Sequence, residues 1–174
     1  MAGSAAWQAE FEQRFTPAGF TTPTVEAGRL ALAPPDGLRF DYRTGVGRVF
    51  AVEEGIARMV DQGAGSCEAF RLDPATWGRL PLAALLDPAA AEASFTVAAT
   101  ARGVRLAPRE PLPEVAEIVL EPGADGLPAS ILVVDASGNR NEFVFTSWRR
   151  TAVPGDAFFR PSLPGQAPCS PEQE

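Results

Sequence analysis

With 174 residues and a formal net charge of −7, the chain is long enough for one domain with a sizeable core. It is too acidic to favour nucleic acid or an anionic membrane surface as a partner. It contains no histidine, which removes imidazole from catalysis and metal ligation, and its fifteen basic residues are all arginine. No run is long and apolar enough to span a bilayer as a helix.

The opening Met1-Ala2-Gly3-Ser4 lacks both the basic and the apolar segment of a secretory leader. It reads as an engineered start from which the natural leader is missing. From Ala5 to Phe15 the aromatic residues Trp7, Phe11 and Phe15 recur at intervals of four, which predicts a short amphipathic helix ended by Pro17 and Gly19. An extended segment from Phe20 to Glu26 follows, with Pro23 marking an edge or bulge.

Gly28 to Tyr42 is the organising stretch. Leu30 and Leu32 alternate with polar or small residues, Pro34-Pro35-Asp36-Gly37 makes a turn, and the alternation resumes with Leu38, Phe40 and Tyr42. A period of two places each apolar set on one face of a β-strand, so this is an antiparallel hairpin with one apolar face. Two more strands are expected at Arg48–Glu53 and Ile56–Asp61, joined by a tight turn at Glu54-Gly55, and another at Cys67–Leu72.

At Asp73 the pattern breaks. Prolines at 74, 81 and 88 bound two short helical pieces, and Leu80, Leu82, Leu85 and Leu86 form an apolar knob expected to cover the concave side of a sheet. Strands then resume at Ser94–Ala101, Gly103–Ala107 and Glu114–Glu121. The almost wholly apolar run Ser130–Asp135 is read as buried on both faces. A long strand follows over Asn141–Thr151, and a short helical turn or strand end over Asp156–Phe159. Residues 1–161 are expected to form one domain, and residues 162–174 a flexible tail rich in Pro, Gly, Gln and Glu. The fold class is mainly β: an antiparallel sheet of roughly ten strands with a helical insertion.

In this order the chain resembles the LolA family, periplasmic carriers of outer-membrane lipoproteins. Phe11-Glu12-Gln13-Arg14-Phe15 is similar to the family's opening F-x-Q-x-F. Gly28 to Tyr42 is similar to its G-x-L strand, proline turn and aromatic-and-acid strand. Leu80 to Leu86 resembles the helix after the meander, Asp135 to Asn139 the late D-x-x-G turn, and Phe158-Phe159-Arg160-Pro161 the terminal F-x-x-P. The resemblance implies an unclosed β-barrel with helices as a lid over an apolar cavity for acyl chains. It also implies a periplasmic location and acylated lipoproteins or another lipid as cargo. The implied protein partners are an inner-membrane lipoprotein-releasing transporter and an outer-membrane receptor, and a monomer is expected. No cofactor and no catalytic residue are expected. Where the family carries an arginine before the proline of the second motif, this chain has Pro34, and Arg39 and Arg43 are the candidates to replace it.

The cavity wall would be Leu30, Leu32, Leu38, Phe40, Tyr42, Phe50, Val52, Met59, Ile118, Leu120, Phe143 and Phe145, provided these share the concave face. Periodicity does not separate such a wall from ordinary core. Trp77, Leu82, Leu85 and Leu86 are the lid candidates. Cys67 and Cys169 form a candidate disulfide, with two unpaired thiols as the alternative, and without histidine they are a weak metal set. Asp41, Glu53 and Glu54 occupy solvent-facing alternating positions, and Ser66-Cys67-Glu68 has no conventional base, so an enzyme is the least supported reading. A carrier of a non-protein lipid or glycolipid, or a protein-binding sensor on the same scaffold, are the alternatives.

Overall fold

The computed structural model describes residues 5–73, 88–155 and 157–172. The first half is a run of six strands: β1 (Ala6–Thr16), β2 (Thr24–Ala33), β3 (Gly37–Tyr42), β4 (Arg48–Glu53), β5 (Ile56–Asp61) and β6 (Ser66–Arg71). A short helix, α1 (Pro88–Ser94), leads into β7 (Phe95–Ala99), β8 (Val104–Pro108), β9 (Glu117–Pro122), β10 (Pro128–Val134) and β11 (Arg140–Thr151). All eleven strands form one sheet in the order β6-β5-β4-β3-β2-β1-β11-β10-β9-β8-β7, every pairing antiparallel. Each strand pairs with its neighbour in sequence, except that β1 and β11 join the two ends of the chain. The sheet is left open between β6 and β7, where the proline-bounded insertion interrupts the sequence. Local chemistry sets the hairpins. Glu54 and Gly55 both have positive φ, 51° and 72°, the pairing of a two-residue turn whose twist suits antiparallel strands.

The expected N-terminal helix is instead β1, in the middle of the sheet between β2 and β11. The physical reason lies in the spacing. Intervals of four satisfy a strand's period of two as well as a helix's period of 3.6. The strand reading adds Ala9 and Gln13 to the face of Trp7 and Phe11, and Ala9 and Phe11 are buried. Hydrogen bonding on both edges then outweighs the helix propensity of Ala, Glu, Gln and Arg.

One face of the sheet carries the main core. Leu30, Leu32, Leu38, Phe40 and Val52 from β2–β4 belong to the same buried cluster as Phe95, Leu106, Ile118, Ile131, Phe143 and Phe145 from β7–β11. The sheet curls around this face. Gly28 makes the curl possible at its centre, because a Cβ there would lie 2.9 Å from the Phe11 ring and 1.9 Å from the Asp41 carbonyl oxygen. On β11 an extra residue at Ser147 (φ 57°) shifts the register against β1. This bulge returns Trp148 to the face of Phe143 and Phe145.

Two further expectations are corrected. β10 is not buried on both faces: Ile131 is fully buried, whereas Leu132 and Val134, on the convex face, are half-buried. β9 begins at Glu117 rather than Glu114.

The segment after β11 crosses the convex face of the first half. Phe159 packs on Ala6 and Ala33, and the Arg39 guanidinium donates to the Phe158 carbonyl at 2.6 Å while lying 4.6 Å from the centre of its ring. Arg160 pairs with Glu53 at 2.8 Å, and Arg58 Nε donates to the Cys169 carbonyl at 2.9 Å. Cys169 is bonded to Cys67 on the edge strand β6. This segment accompanies the burial of Ala51, Val60 and Arg58 on a face that a half-barrel would ordinarily leave to solvent.

Candidate functional site

The twelve residues expected to wall a cavity all lie on the concave face, as the register shows. Across β1–β6 one row reads Trp7, Leu32, Leu38, Val52, Ala57 and Phe70. The next reads Ala9, Leu30, Phe40, Phe50, Met59 and Glu68, and the third Phe11, Gly28, Tyr42, Arg48, Asp61 and Ser66. On the other side Phe143, Ile131 and Leu120 are directly paired, as are Val133 and Ile118.

These positions divide by depth. Leu30, Leu32, Leu38, Phe40, Val52, Ile118, Phe143 and Phe145 are buried, and Tyr42, Phe50 and Leu120 are half-buried. Met59 is 49% exposed. The deep part is an aromatic cluster in which Phe40 lies edge-on to Phe11 at 5.1 Å, and Phe143 is 5.7 Å from Phe40. Phe145 continues it to Trp148 at 5.6 Å. Of the exposed apolar side chains of the concave face, Met59 and Phe70 (43%) stand on β5 and β6 and Val97 (52%) on β7, towards the free edges, while Phe15 lies at the end of the central strand β1. Sequence reasoning missed Trp7, Phe11, Val133 and Trp148. The helix reading hid the first two, and the bulge hid the parity of the last. The lid candidates Trp77, Leu82, Leu85 and Leu86 fall outside the described residues.

One end of the concave face is polar. The Tyr42 hydroxyl donates to Gln13 Oε1 at 2.9 Å, and Gln13 Nε2 donates to Asn141 Oδ1 at 3.1 Å. Arg48 is ion-paired with Glu26, and its guanidinium carbon lies 5.0 Å from the centre of the Tyr42 ring. Arg39 and Arg43, the candidates to replace the family's arginine, are on the convex face, bonded to Asp41 and Glu10. At the polar end of the concave face the arginine is Arg48, and Arg150, paired with Trp7, stands on the same face at the other end. Beside Arg48 a groove of about 260 Å³ runs between Tyr42, Phe50, Met59 and Ser66. Among the described residues no group of three or more potential ligands could hold a metal ion.

Burial, reinforced by Glu26 and opposed by Arg48, pushes the Tyr42 phenol up from 10.0 to about 12. Below pH 10 the phenol is neutral in folded and unfolded chain alike, and its contribution to stability is complete. As pH rises from 10 towards 12 the unfolded chain ionises first, and stability is expected to fall by about 2–3 kcal/mol. Tyr42 is the sole tyrosine, so tyrosinate absorbance reads it directly. A folded-state midpoint near 10 would place the ring in water.

The sequence pattern of the family described as "Outer membrane lipoprotein carrier protein LolA" matches residues 2–162. No curated protein matches the chain significantly. Among solved structures, an uncharacterized conserved protein from Thermus thermophilus superposes with a TM-score of 0.55 at 12% identity, over 93% of this chain and 88% of that one. A LolA superfamily protein from Nitrosomonas europaea superposes at 0.51, with 8% identity over 88% and 89%. A DUF1329 family protein from Desulfovibrio piger superposes at 0.52, with 8% identity over 91% and 90%. At these identities the similarity is one of fold.

Proposed function

Because this chain belongs to the LolA family, we propose that it is a carrier that takes the acyl chains of lipoproteins onto its concave face and delivers them to the outer membrane. The observation that carries the proposal is the continuous apolar face, buried in its middle and exposed at both free edges of an unclosed sheet through Met59, Phe70 and Val97. An acyl chain loses about 0.8 kcal/mol per CH₂ left in water, so apolar area and a route into it are the whole requirement, and no reacting group is needed. The side between β6 and β7, which are not paired with each other among the described residues, is that route. In this reading the carrier works in the periplasm between an inner-membrane lipoprotein-releasing transporter and an outer-membrane receptor. The Cys67–Cys169 bond accords with an oxidising compartment.

Met59 is the position to test, because it is exposed and its replacement leaves the deep core intact. Met59→Glu is expected to cost about 1 kcal/mol, because the new carboxylate stands directly opposite Glu68, and to leave the chain folded. It should weaken acyl-chain binding by at least about tenfold, because the new carboxylate must be desolvated against the cargo. A photo-crosslinker at position 59 in the native host should capture an acylated lipoprotein. Adducts of lipid without protein would reassign the cargo, and unchanged lipid binding by a folded Met59→Glu chain would overturn the assignment of the face.

A further inference from the structure

The apolar character of the concave face changes along the strands, and it does so in register. The first two rows across β1–β6 are apolar except for Glu68 at the edge. The third turns polar at β4, with Arg48, Asp61 and Ser66 side by side on neighbouring strands. The groove of about 260 Å³ lies on this boundary, with Phe50 and Met59 on its apolar side and Arg48, Asp61, Ser66 and Glu68 on its polar side. That volume is at the lower edge of ligand pockets, which run to about 300–1,000 Å³, so it suits one part of a ligand rather than a whole lipid.

Resting on the carrier reading above, we infer that this groove receives the polar head of the acylated cargo, with the chains directed towards Phe70 and Leu38. Across β4–β6 the face binds an amphiphile in one orientation because there the groups that can satisfy polar atoms are gathered at one end. A carbonyl, hydroxyl or amide lodged in the apolar rows would lose its hydrogen bonds to water without replacement. At the polar end Arg48 and Ser66 can donate, and Asp61, Ser66 and Glu68 can accept.

The charges also select. The groove carries one cation, Arg48, against two carboxylates, Asp61 and Glu68. Arg48 is already paired with Glu26. A neutral head, such as a glyceryl ester or peptide amide, or a cationic one, such as a free α-amine, meets complementary groups. The phosphate of an anionic phospholipid meets net repulsion. The groove is thereby specific for an acylated peptide over the anionic lipids of the membrane from which it is drawn.

Ser66 and Phe70 lie on one face of β6, both exposed, and about 13 Å apart along the strand. A photo-crosslinker is placed at either position in the full-length, oxidised chain, with a synthetic diacylated lipopeptide as the probe. Position 66 is expected to label the glyceryl or peptide part and position 70 the acyl chains. The reverse pattern would overturn the orientation and leave the carrier reading standing. No acyl adduct from either position would overturn the carrier reading itself. For the charge selection, phosphatidylglycerol is used to displace the lipopeptide. Displacement is expected to be roughly three- to tenfold more effective from an Asp61→Asn/Glu68→Gln chain than from the native one. Equal displacement would refute the selection by charge.

Discussion

Phe40→Ala is expected to cost about 3–5 kcal/mol. Phe40 is 1% exposed and sits at the meeting point of both halves of the sheet. Its ring lies against Phe11 and Tyr42 on the near side and Phe143 across the curl, at 5.1, 6.3 and 5.7 Å. Truncation removes the transfer free energy of the ring and leaves a cavity that the neighbouring strands cannot close without changing the curl. It also removes aromatic pairings worth about 0.5–1.5 kcal/mol each beyond their area. Against a total stability of about 5–15 kcal/mol for a domain, the variant would be marginal. Denaturant unfolding checks this as a lower midpoint with an unchanged slope. A loss under about 1 kcal/mol would mean that the ring faces an empty cavity rather than packed neighbours. The same burial makes Phe40 a poor reporter of cargo, since a charged replacement unfolds the chain before binding can be measured. Met59 avoids that confusion.

Breaking the Cys67–Cys169 bond is expected to cost about 2–4 kcal/mol, through Cys169→Ser or reduction of the native chain. The bond closes a separation of 102 residues, so it removes much of the unfolded chain's freedom. In the folded state it secures β6, an edge strand that among the described residues pairs only with β5. Release of Cys169 also frees the carbonyl that accepts from Arg58, a guanidinium whose pKa is lowered by burial and by nearby Arg160. The expected readouts are a lower unfolding midpoint on reduction and faster amide exchange confined to β6 and residues 162–172. The Phe158–Arg160 stretch should keep its protection, because Arg39, Ala33 and Glu53 hold it without the disulfide. Identical midpoints with and without reductant would show that these non-covalent contacts alone hold the segment.

The core half of the concave face is held by packed rings, while the β5–β6 side is held from behind by the segment after β11 and its disulfide. Under the proposed carrier function, cargo would enter at Met59 and Phe70, beside the edge strand β6, against the deep cluster as a fixed wall.

Much of this architecture was legible in the residues. The hairpins β2–β3 and β4–β5 follow from alternation and from turn residues with suitable φ, because both signals are local. The twelve proposed wall residues were recognised as apolar positions of alternating strands. They share one face because a period of two leaves no other choice once the register is set. The break at Asp73 marked the place where the sheet is open, because prolines cannot continue a meander. β1 was not legible as a strand, since an interval of four fits both periods. The choice between them rests on β2 and β11, the latter more than a hundred residues away in sequence. The parity of Trp148 depends on a bulge at Ser147 that has no glycine to announce it. The side of the sheet on which Arg39 and Arg43 lie, and the polar rim built from Gln13, Glu26, Arg48 and Asn141, required strands from both ends of the chain to meet. The segment after β11 was the least legible, because Pro and Gly composition describes a segment's own preferences and says nothing of the surface that receives it. Local periodicity determined which residues are apolar partners within each strand. Long-range pairing alone decided what each face of the sheet encloses.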